Sequence, residues 1–549
     1  MPTAEEWSYY IPQLNFRVGD VEYNKNLIID AIQSGQNDEV DLIIFPELAL
    51  SGYPPRDLLY YSSFHQGLQQ ALDQIIEVIT SSYVILGLPL YDKTKRLRNA
   101  AVILNSAGIK YTYFKTLLPD YDVFDESRYF YPNEDPGIVE LDGVKIGLQI
   151  CEDLWDHMWM HRIKVTKQQL QLGAELIINI SASPYTLSKP ENRLNLVRKQ
   201  LEAHNANFIY VNLLGSQDDL VFDGRSFMVN KNGDLVYTAP AFRPSSDVIA
   251  GSVFNSKSIN PDQYESIHQM ESISAALQIS LVDYLEKSGL TKSVLIALSG
   301  GIDSALTVTL ATYALGSENV TAVYLPTSFS AKQSYMDSKQ LCENLGIELL
   351  VIEIEDIRNM METKLQELAV IDDSWSIANE NIQSRIRGNL MMFLSNKLNK
   401  ILLATGNKSE IATGYYTLYG DDSGGKNLLG DLYKTQVYEL AKYFNREEEV
   451  IPESIITRPP SAELRPDQKD QDSLPDYSTL DEILYRFIDQ YQSTEEIIAA
   501  GYDKETVKQV ISLVMRNEFK RAQLVQTVKV SDRTFGFGRR FPIANQYRP

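Results

Sequence analysis

The chain has 549 residues, 44% of them hydrophobic, and a formal net charge of −22 from 51 Lys and Arg against 73 Asp and Glu. That length exceeds one ordinary domain, and the apolar fraction is too high for a disordered chain. The acidic balance excludes a general grip on nucleic acid or anionic membrane, and having only two cysteines, Cys151 and Cys342, excludes a disulfide framework and points to a reducing compartment.

The first ten residues, MPTAEEWSYY, carry neither a basic n-region nor an apolar h-region. No uncharged apolar run approaches the ~18 residues of a membrane span. A cytoplasmic protein with no membrane partner is expected. Val40–Phe45, Tyr83–Pro89, Ala100–Asn105, Val144–Ile150, Glu175–Ile180 and Asn207–Asn212 read as short buried strands. Helical patterns such as Phe64–Thr80 and Asn192–His204 fall between several of them, which argues for an α/β domain. Ser226–Tyr237 carries Asn-Gly between alternating runs and predicts a hairpin.

The texture then changes. Gly251–Met270 is polar with no strand pattern, so the boundaries are set at 1–255 for a first domain, 256–270 for a linker and 271–549 for a second domain. A long helix from Glu271 opens a second α/β alternation, with strands at Val294–Ala297, Val320–Leu325, Glu348–Ile354 and Ile401–Thr405. Arg458–Asp476 holds four prolines among many charges and reads as a mobile loop. Fold class alone assigns no function.

Three residues of the first half carry chemistry. Glu47 follows LIIFP, Lys115 lies in YTYFKTLLP, and Cys151 ends VKIGLQI. Strand carboxyl ends are where α/β sites are built. A Cys there serves as a nucleophile if a cation favours the thiolate and a base takes the proton; Lys115 and Glu47 supply those types. Taken singly, such a Cys is more often a small buried apolar residue, and a lone Lys or Glu a solvated one.

The joint context is more specific. FPEL followed by GYPP (Phe45–Pro55), Tyr113–Phe130 and GLQICEDLW (Gly147–Trp155) resemble the nitrilase or carbon–nitrogen hydrolase superfamily over about residues 5–250. The resemblance implies an α-β-β-α sandwich with Glu47 as general base, Lys115 as stabiliser of the intermediate and Cys151 as nucleophile. Glu126 matches a further family glutamate near the lysine. Tyr121, Ser183 and Lys189 match glutamine-holding positions of the glutaminase members. The implied reaction is amide hydrolysis through a thioester, releasing ammonia. His157 and His161 stand at i, i+4, but with no third ligand at family spacing they read as amphipathic helix surface rather than a metal site.

In the second half, ALSGGIDS (Ala297–Ser304) sits between the strand SVLIA and an apolar helical run. A strand, glycine loop and helix N-terminus together cradle phosphate. The Walker A pattern is absent. SGG-x-D-S after a strand resembles the PP-loop of N-type ATP pyrophosphatases, which fold as a doubly wound parallel sheet of the adenine nucleotide alpha hydrolase kind. It implies that Ala297, Leu298, Ser299, Gly300, Gly301, Ile302, Asp303 and Ser304 bind ATP and that Asp303 contacts Mg²⁺, a hard cation suited to oxygen ligands.

Leu402–Asp421, Asn379–Met392, SAELRPDQ (Ser461–Gln468) and NEFKRAQ (Asn517–Gln523) resemble NAD synthetase. Thr405 then matches an ATP contact. Glu410 matches a second metal or substrate-site carboxylate. Asn381, Tyr415, Tyr416, Thr417, Leu418 and Lys520 match the deamido-NAD site. Read without the resemblance, Arg385 and Arg387 are ordinary surface charges and Glu410 is a helix N-terminal carboxylate. Lys469 and Gln471 depart from the family pattern, in a loop not expected to do chemistry. Residues 516–549 hold eight basic and two acidic residues, a local +6; phosphate recognition and a subunit contact account for it equally.

The two halves together resemble the glutamine-dependent NAD synthetase family. That implies amidation of deamido-NAD by ammonia from L-glutamine, driven by ATP with Mg²⁺ and no prosthetic group. A protected ammonia passage and a dimer or higher homo-oligomer are further features of that family. A glutamine-fed ligase for another carboxylate and a catalytically silent assembly protein are the alternatives. The NAD-synthetase-like segments after Asn379 stand against the first, and the intact Glu47, Lys115, Cys151 and SGGIDS against the second.

Overall fold

The computed structural model describes residues 3–155, 161–202, 204–259, 268–368, 374–466 and 468–547. The chain divides into two compact units, Met1–His268 and Gln269–Pro549.

The described residues of the first unit form fourteen strands. They are β1 Ser8–Gln13, β2 Leu42–Ile44, β3 Tyr83–Tyr91, β4 Leu97–Asn105, β5 Gly108–Phe114, β6 Ile138–Leu141, β7 Val144–Ile150, β8 Leu176–Ser181, β9 Asn207–Asn212, β10 Leu214–Gln217, β11 Leu220–Asp223, β12 Phe227–Val229, β13 Leu235–Thr238 and β14 Ser245–Ala250. Two six-stranded sheets form, ordered β14-β1-β2-β3-β4-β5 and β13-β12-β9-β8-β7-β6, with β10 and β11 as a separate pair. Alternate side chains of each strand point to opposite faces. Ile44, Ile85, Ala101 and Ile103 of one sheet therefore meet Leu148, Ile178, Ile209 and Met228 of the other in one core.

The outer face of the first sheet packs on the helices Val21–Asn37 and Ser62–Glu77, burying Ile28, Ile32, Leu68, Leu72 and Ile75. The outer face of the second buries Leu194, Val197 and Leu201 of the helix Lys189–Leu201. The result is the expected α-β-β-α sandwich. All six expected strands are present, as is the hairpin, which turns at Asn230–Asp234 with Gly233 at φ +83°.

The second unit carries a parallel sheet of β15 Val294–Ala297, β16 Val320–Tyr324, β17 Glu348–Val351, β18 Ile401–Ala404 and β19 Lys426–Asn427, ordered β17-β16-β15-β18-β19. The order reverses beside β15, so the crevice at the carboxyl ends of β15 and β18 is the topological switch point. The helices Gln269–Lys287, Ile302–Leu315 and Lys434–Phe444 pack together. Ile386 and Met391 of the long helix Ile377–Leu398 pack with Leu295, Val323 and Leu402 of the sheet. A separate apolar cluster joins Ile411 to Leu480, Ile483, Val507, Val510 and Val514.

Three expectations are corrected. The helix placed from Glu271 begins at Gln269. In the segment read as a mobile loop, Arg458 and Glu463 both hydrogen-bond to Ser334. His161, expected on a helix, lies in non-helical chain; His157 lies outside the described residues, as do residues 260–267. Among the described residues, no group of three or more His, Cys, Asp or Glu is arranged to hold a metal. No described helix is long and apolar enough to cross a membrane.

Candidate active sites

In the first unit, three strand ends converge. Glu47 comes three residues after β2, Lys115 directly after β5, and Cys151 directly after β7. Lys115 Nζ donates to Glu47 Oε1 at 2.8 Å and to both oxygens of Glu126 at 2.9 Å. Lys115 is fully buried and Glu47 almost so. The remaining capacity of Glu47 is filled by Asn99 Nδ2 at 2.7 Å and the Ala182 N–H at 2.8 Å. Tyr53 donates to Glu126 at 3.1 Å. A carboxylate held by three donors cannot rotate freely, which is what a base needs. Gly87 on β3 makes room for it: a Cβ there would lie 2.5 Å from Leu48 N and 2.8 Å from Glu47 Cα.

Cys151 opens a 3₁₀ turn, Cys151–Trp155, with its own φ at +42°. A non-glycine residue in that region is strained, and such strain persists only where its surroundings hold it. Asp153 provides the hold. Its carboxylate accepts from the N–H groups of Ile150, Thr116 and Leu117 at 3.0, 3.1 and 2.8 Å and from Tyr113 OH at 2.9 Å. Asp153 therefore ties the Cys151 turn to the Lys115 loop. Burial pushes its carboxyl up to about 6.

The electrostatics correct one expectation. Burial, and then Glu47, push the Cys151 thiol well above its ordinary range, with Lys115 only partly opposing. Burial works against the Lys115 ammonium too, but Glu126 and Glu47 outweigh it and hold Lys115 well above the ordinary lysine range. Lys115 is thus already balanced by two carboxylates and does not set up a standing thiolate. The thiol is neutral at rest, and its proton must leave as sulfur attacks.

Of the expected glutamine contacts, Tyr121 OH donates to Glu152 Oε2 at 2.8 Å. Ser183 N–H donates to Asn212 Oδ1 at 3.0 Å. Lys189 Nζ lies 4.2 Å over the Trp155 ring. Glu152, buried and next to Cys151, was not singled out from the sequence; its other oxygen lies 3.2 Å from His161 Nε2. Asn99 and Asp153 were also missed.

In the second unit, a cavity of about 430 Å³ opens at the switch point. Ala297, Leu298, Ser299, Gly301, Ile302, Asp303, Ser304, Thr405, Asn381, Glu410, Tyr415, Tyr416, Thr417 and Lys520 all line it. Gly300 and Leu418 are not among its lining residues. Gly300, at φ +80°, has no space for a Cβ, which would fall 2.6 Å from the Ser334 carbonyl oxygen. The Leu418 carbonyl accepts from Arg385 Nε at 3.3 Å.

The glycine loop is pinned by its own serines. Ser304 Oγ accepts from Ser299 N–H at 3.2 Å and donates to the Gly301 carbonyl at 3.0 Å. Gly301 then caps the helix Ile302–Leu315, whose first residues line the cavity; the first N–H groups of a helix have no partner within it.

Asp303 and Glu410 meet at one ammonium. Lys434 Nζ donates to Asp303 Oδ2 at 2.5 Å and to Glu410 Oε1 at 3.3 Å. Asn407 Nδ2 donates to Asp303 Oδ1 at 2.8 Å. Burial opposes the Lys434 charge, but Asp303 and Glu410 override it and raise its pKa; burial and the nearby Asp303 raise that of Glu410 despite Lys434. Two carboxylates that reach one cation form a hard oxygen donor set. That suits Mg²⁺, which takes its other ligands from phosphate and water.

Three expectations change here. Arg458 NH2 donates to the Gly300 carbonyl at 2.5 Å and its NH1 to Ser334 Oγ at 2.9 Å. With Glu463 and Asp470 it lines the cavity, so the Arg458–Asp476 segment belongs to the site. Arg387 is no ordinary surface charge: it lines the cavity, and its Nε donates to the Leu325 carbonyl at 2.9 Å. Several basic residues of the C-terminal segment are paired within the protein. Arg521 donates to the Ala412 carbonyl at 2.6 Å, Lys529 to the Ser531 and Asp532 carbonyls at 3.0 and 3.1 Å, and Arg539 pairs with Glu518 at 2.7 Å. Among the described residues of that basic group, Lys520 alone lines the cavity, its Nζ donating to the Gly414 and Tyr416 carbonyls at 2.7 Å.

Residues 11–250 match the carbon–nitrogen hydrolase family model, and residues 273–524 the NAD synthase model. A Synechocystis protein described as a glutamine-dependent NAD(+) synthetase is 41% identical over 98% of this chain and 99% of its own. The chain belongs to the glutamine-dependent NAD(+) synthetase family. A second member of that family, from Aquifex aeolicus, is also 41% identical, over 98% of this chain and 99% of its own. The solved structure of a glutamine-dependent NAD(+) synthetase from Acinetobacter baumannii, in complex with ADP, covers 98% of both chains at 36% identity with a TM-score of 0.77. Glutamine-dependent NAD(+) synthetases thus share with this chain both the hydrolase-like half and the synthase-like half.

Proposed function

We propose that this chain carries out the final step of NAD biosynthesis, converting deamido-NAD, ATP, glutamine and water to NAD, AMP, pyrophosphate and glutamate. Residues 1–255 serve as the glutaminase, 256–270 as linker, and 271–549 as the synthetase. The observation that carries the reading is the pairing of two chemistries in one chain: a buried Glu47–Lys115–Glu126 cluster beside a strained strand-end cysteine, and a glycine-loop cavity lined by Asp303 and Glu410.

In the glutaminase, Cys151 sulfur attacks the side-chain amide carbon of glutamine as Glu47 takes the thiol proton. Lys115 offsets the negative charge that develops on the amide oxygen. Glu47 returns the proton to the departing nitrogen, ammonia leaves, and a thioester remains. Water, deprotonated by Glu47, attacks the thioester carbon and frees glutamate and the thiol. Tyr121, Ser183 and Lys189 hold the glutamine, the Lys189 ammonium facing its carboxylate.

In the synthetase, Ser299, Gly301, Ser304 and the helix N-terminus at Ile302 hold the ATP phosphates. Asn381, Tyr415, Tyr416, Thr417 and Lys520 hold deamido-NAD. An oxygen of the nicotinate carboxylate attacks the α-phosphorus, the bond to the β-phosphate breaks, and pyrophosphate leaves. Ammonia then attacks the adenylated carbonyl carbon, AMP leaves, and a proton is lost as the amide forms. Asp303 and Glu410 would hold Mg²⁺, which when bound offsets the charge of the pyrophosphate. Lys434 adds positive charge at the same place.

The enzyme works in the cytoplasm and self-associates as a dimer or larger homo-oligomer, which light scattering after gel filtration measures. The functional test is NAD formation from deamido-NAD and ATP with glutamine, with AMP, pyrophosphate and glutamate appearing in equal amounts. NAD formation without AMP would contradict the adenylate.

A further inference from the structure

Arg193 is a fully buried guanidinium on the helix Lys189–Leu201. Taking such a charge out of water is costly unless every partner is well placed. Its NH1 donates to Asp223 Oδ1 at 2.8 Å, and Asp223 is fully buried as well. Its NH2 donates to the Ser183 carbonyl at 2.8 Å, to Ser183 Oγ at 3.3 Å and to the Pro184 carbonyl at 3.4 Å. Asn212 closes the cluster. Its Oδ1 accepts from the Ser183 N–H, and its Nδ2 donates to the Ser183 carbonyl at 3.4 Å and to Asp223 Oδ1 at 3.2 Å.

A single serine is thus held at its N–H, its carbonyl and its hydroxyl oxygen. The residue before it is held too, since the Ala182 N–H donates to the base Glu47 at 2.8 Å. The segment is clamped between Glu47 on one side and Arg193 on the other.

The chemistry of the hydroxyl follows. A hydroxyl has one proton and accepting lone pairs. Because Ser183 Oγ accepts from a guanidinium that has only protons to offer, its own proton must point elsewhere. Lys189 lies four residues before Arg193 on the same helix, one turn away and on the same face. One helix therefore carries an ammonium and, a turn on, the guanidinium that turns a serine into a donor. A cation beside a neutral donor suits a carboxylate.

We propose that Arg193, held by Asp223, is a positioning residue that fixes Ser183 as a hydroxyl donor to the α-carboxylate of glutamine. It thereby sets a preference for an amide bearing an α-carboxylate over the same amide without one. The proposal rests on the assignment of Ser183 and Lys189 to the glutamine site.

The test compares hydrolysis of glutamine with that of 4-aminobutanamide, which is glutamine lacking the α-carboxylate, by the full-length enzyme. The variants are Arg193→Lys, which keeps the charge but not the forked geometry, and Arg193→Met with Asp223→Asn, which leaves no lone buried charge. Loss of a hydrogen bond to a charged group predicts a fall on the order of 10- to 100-fold in kcat/KM for glutamine, mostly in KM. For 4-aminobutanamide the double variant should stay within about twofold of the parent. Arg193→Lys should fall between, and it carries the same comparison if the double variant does not fold. Equal losses on both amides, or no loss on glutamine, would overturn the proposal. Cys151→Ala separates it from the underlying reading: an active Cys151→Ala sinks the glutaminase assignment itself, whereas an inactive one with equal Arg193 losses sinks only the role of Arg193.

Discussion

Lys115 Nζ stands 2.9 Å from both carboxylate oxygens of Glu126, with no water-accessible surface on the lysine side chain. Glu126 therefore carries half of the charge balance of an ammonium that Glu47 shares. If Glu126 is neutral, Lys115 turns wholly to Glu47 and makes it a poorer base.

Glu126→Gln is expected to lower glutaminase kcat/KM by about 100-fold or more, within the range that general-base catalysis supplies. Breaking a buried ion pair should also cost about 3–5 kcal/mol of stability. Steady-state kinetics and thermal unfolding of the variant check both; activity near the parent's would mean that Glu126 only fills space.

The raised Cys151 thiol makes a pH prediction. Burial and Glu47 both favour the protonated thiol, so the thiolate fraction stays small up to and beyond the ordinary thiol range. The rate of Cys151 alkylation by iodoacetamide should rise steadily between about pH 6 and 9 without a plateau. A plateau near neutrality would show a standing thiolate and return Lys115 to the role of thiolate stabiliser.

Most of the glutaminase site was legible because its residues sit at strand ends inside distinctive motifs. Cys151 and Glu47 directly follow apolar runs that could only be buried strands. Asn99 and Asp153 were not, because each serves through a neighbour: one bonds Glu47, and the other bonds backbone groups at the end of β7 and in the loop after β5. The first strand, Ser8–Gln13, was missed because its residues, SYYIPQ, break the apolar pattern with a proline and polar ends. In the synthetase half, Lys434 gave no signal. It opens a helix 131 residues after Asp303, and only the packed fold brings the two together. Charge counting could not resolve the basic C-terminus, where Arg521 bonds helix carbonyls while Lys520 lines the cavity.

Lys434→Met should abolish NAD formation with either glutamine or ammonium as nitrogen source. The substitution leaves Asp303 and Glu410 facing each other with no ammonium between them. Asp303→Ala should have the same effect on synthesis. Turnover retained in Asp303→Ala would undo its assignment to the metal and phosphate site.

Gly300→Ala tests the loop geometry. A Cβ at φ +80° is strained by about 1–2 kcal/mol, and this one would also meet the Ser334 carbonyl oxygen. ATP binding by calorimetry should weaken at least about tenfold, as loss of roughly 1.4 kcal/mol implies. Unchanged affinity would mean that the loop adjusts freely.

On this reading one chain holds a nitrogen-releasing site at Cys151 and a separate nitrogen-accepting site at Asp303. The most direct measurement is NAD formation by Cys151→Ala from deamido-NAD and ATP, with glutamine in one assay and ammonium in the other. The variant should form no NAD with glutamine and turn over close to the parent's rate with ammonium. Loss of both activities in a folded Cys151→Ala protein, or glutamine use that survives the substitution, would contradict it.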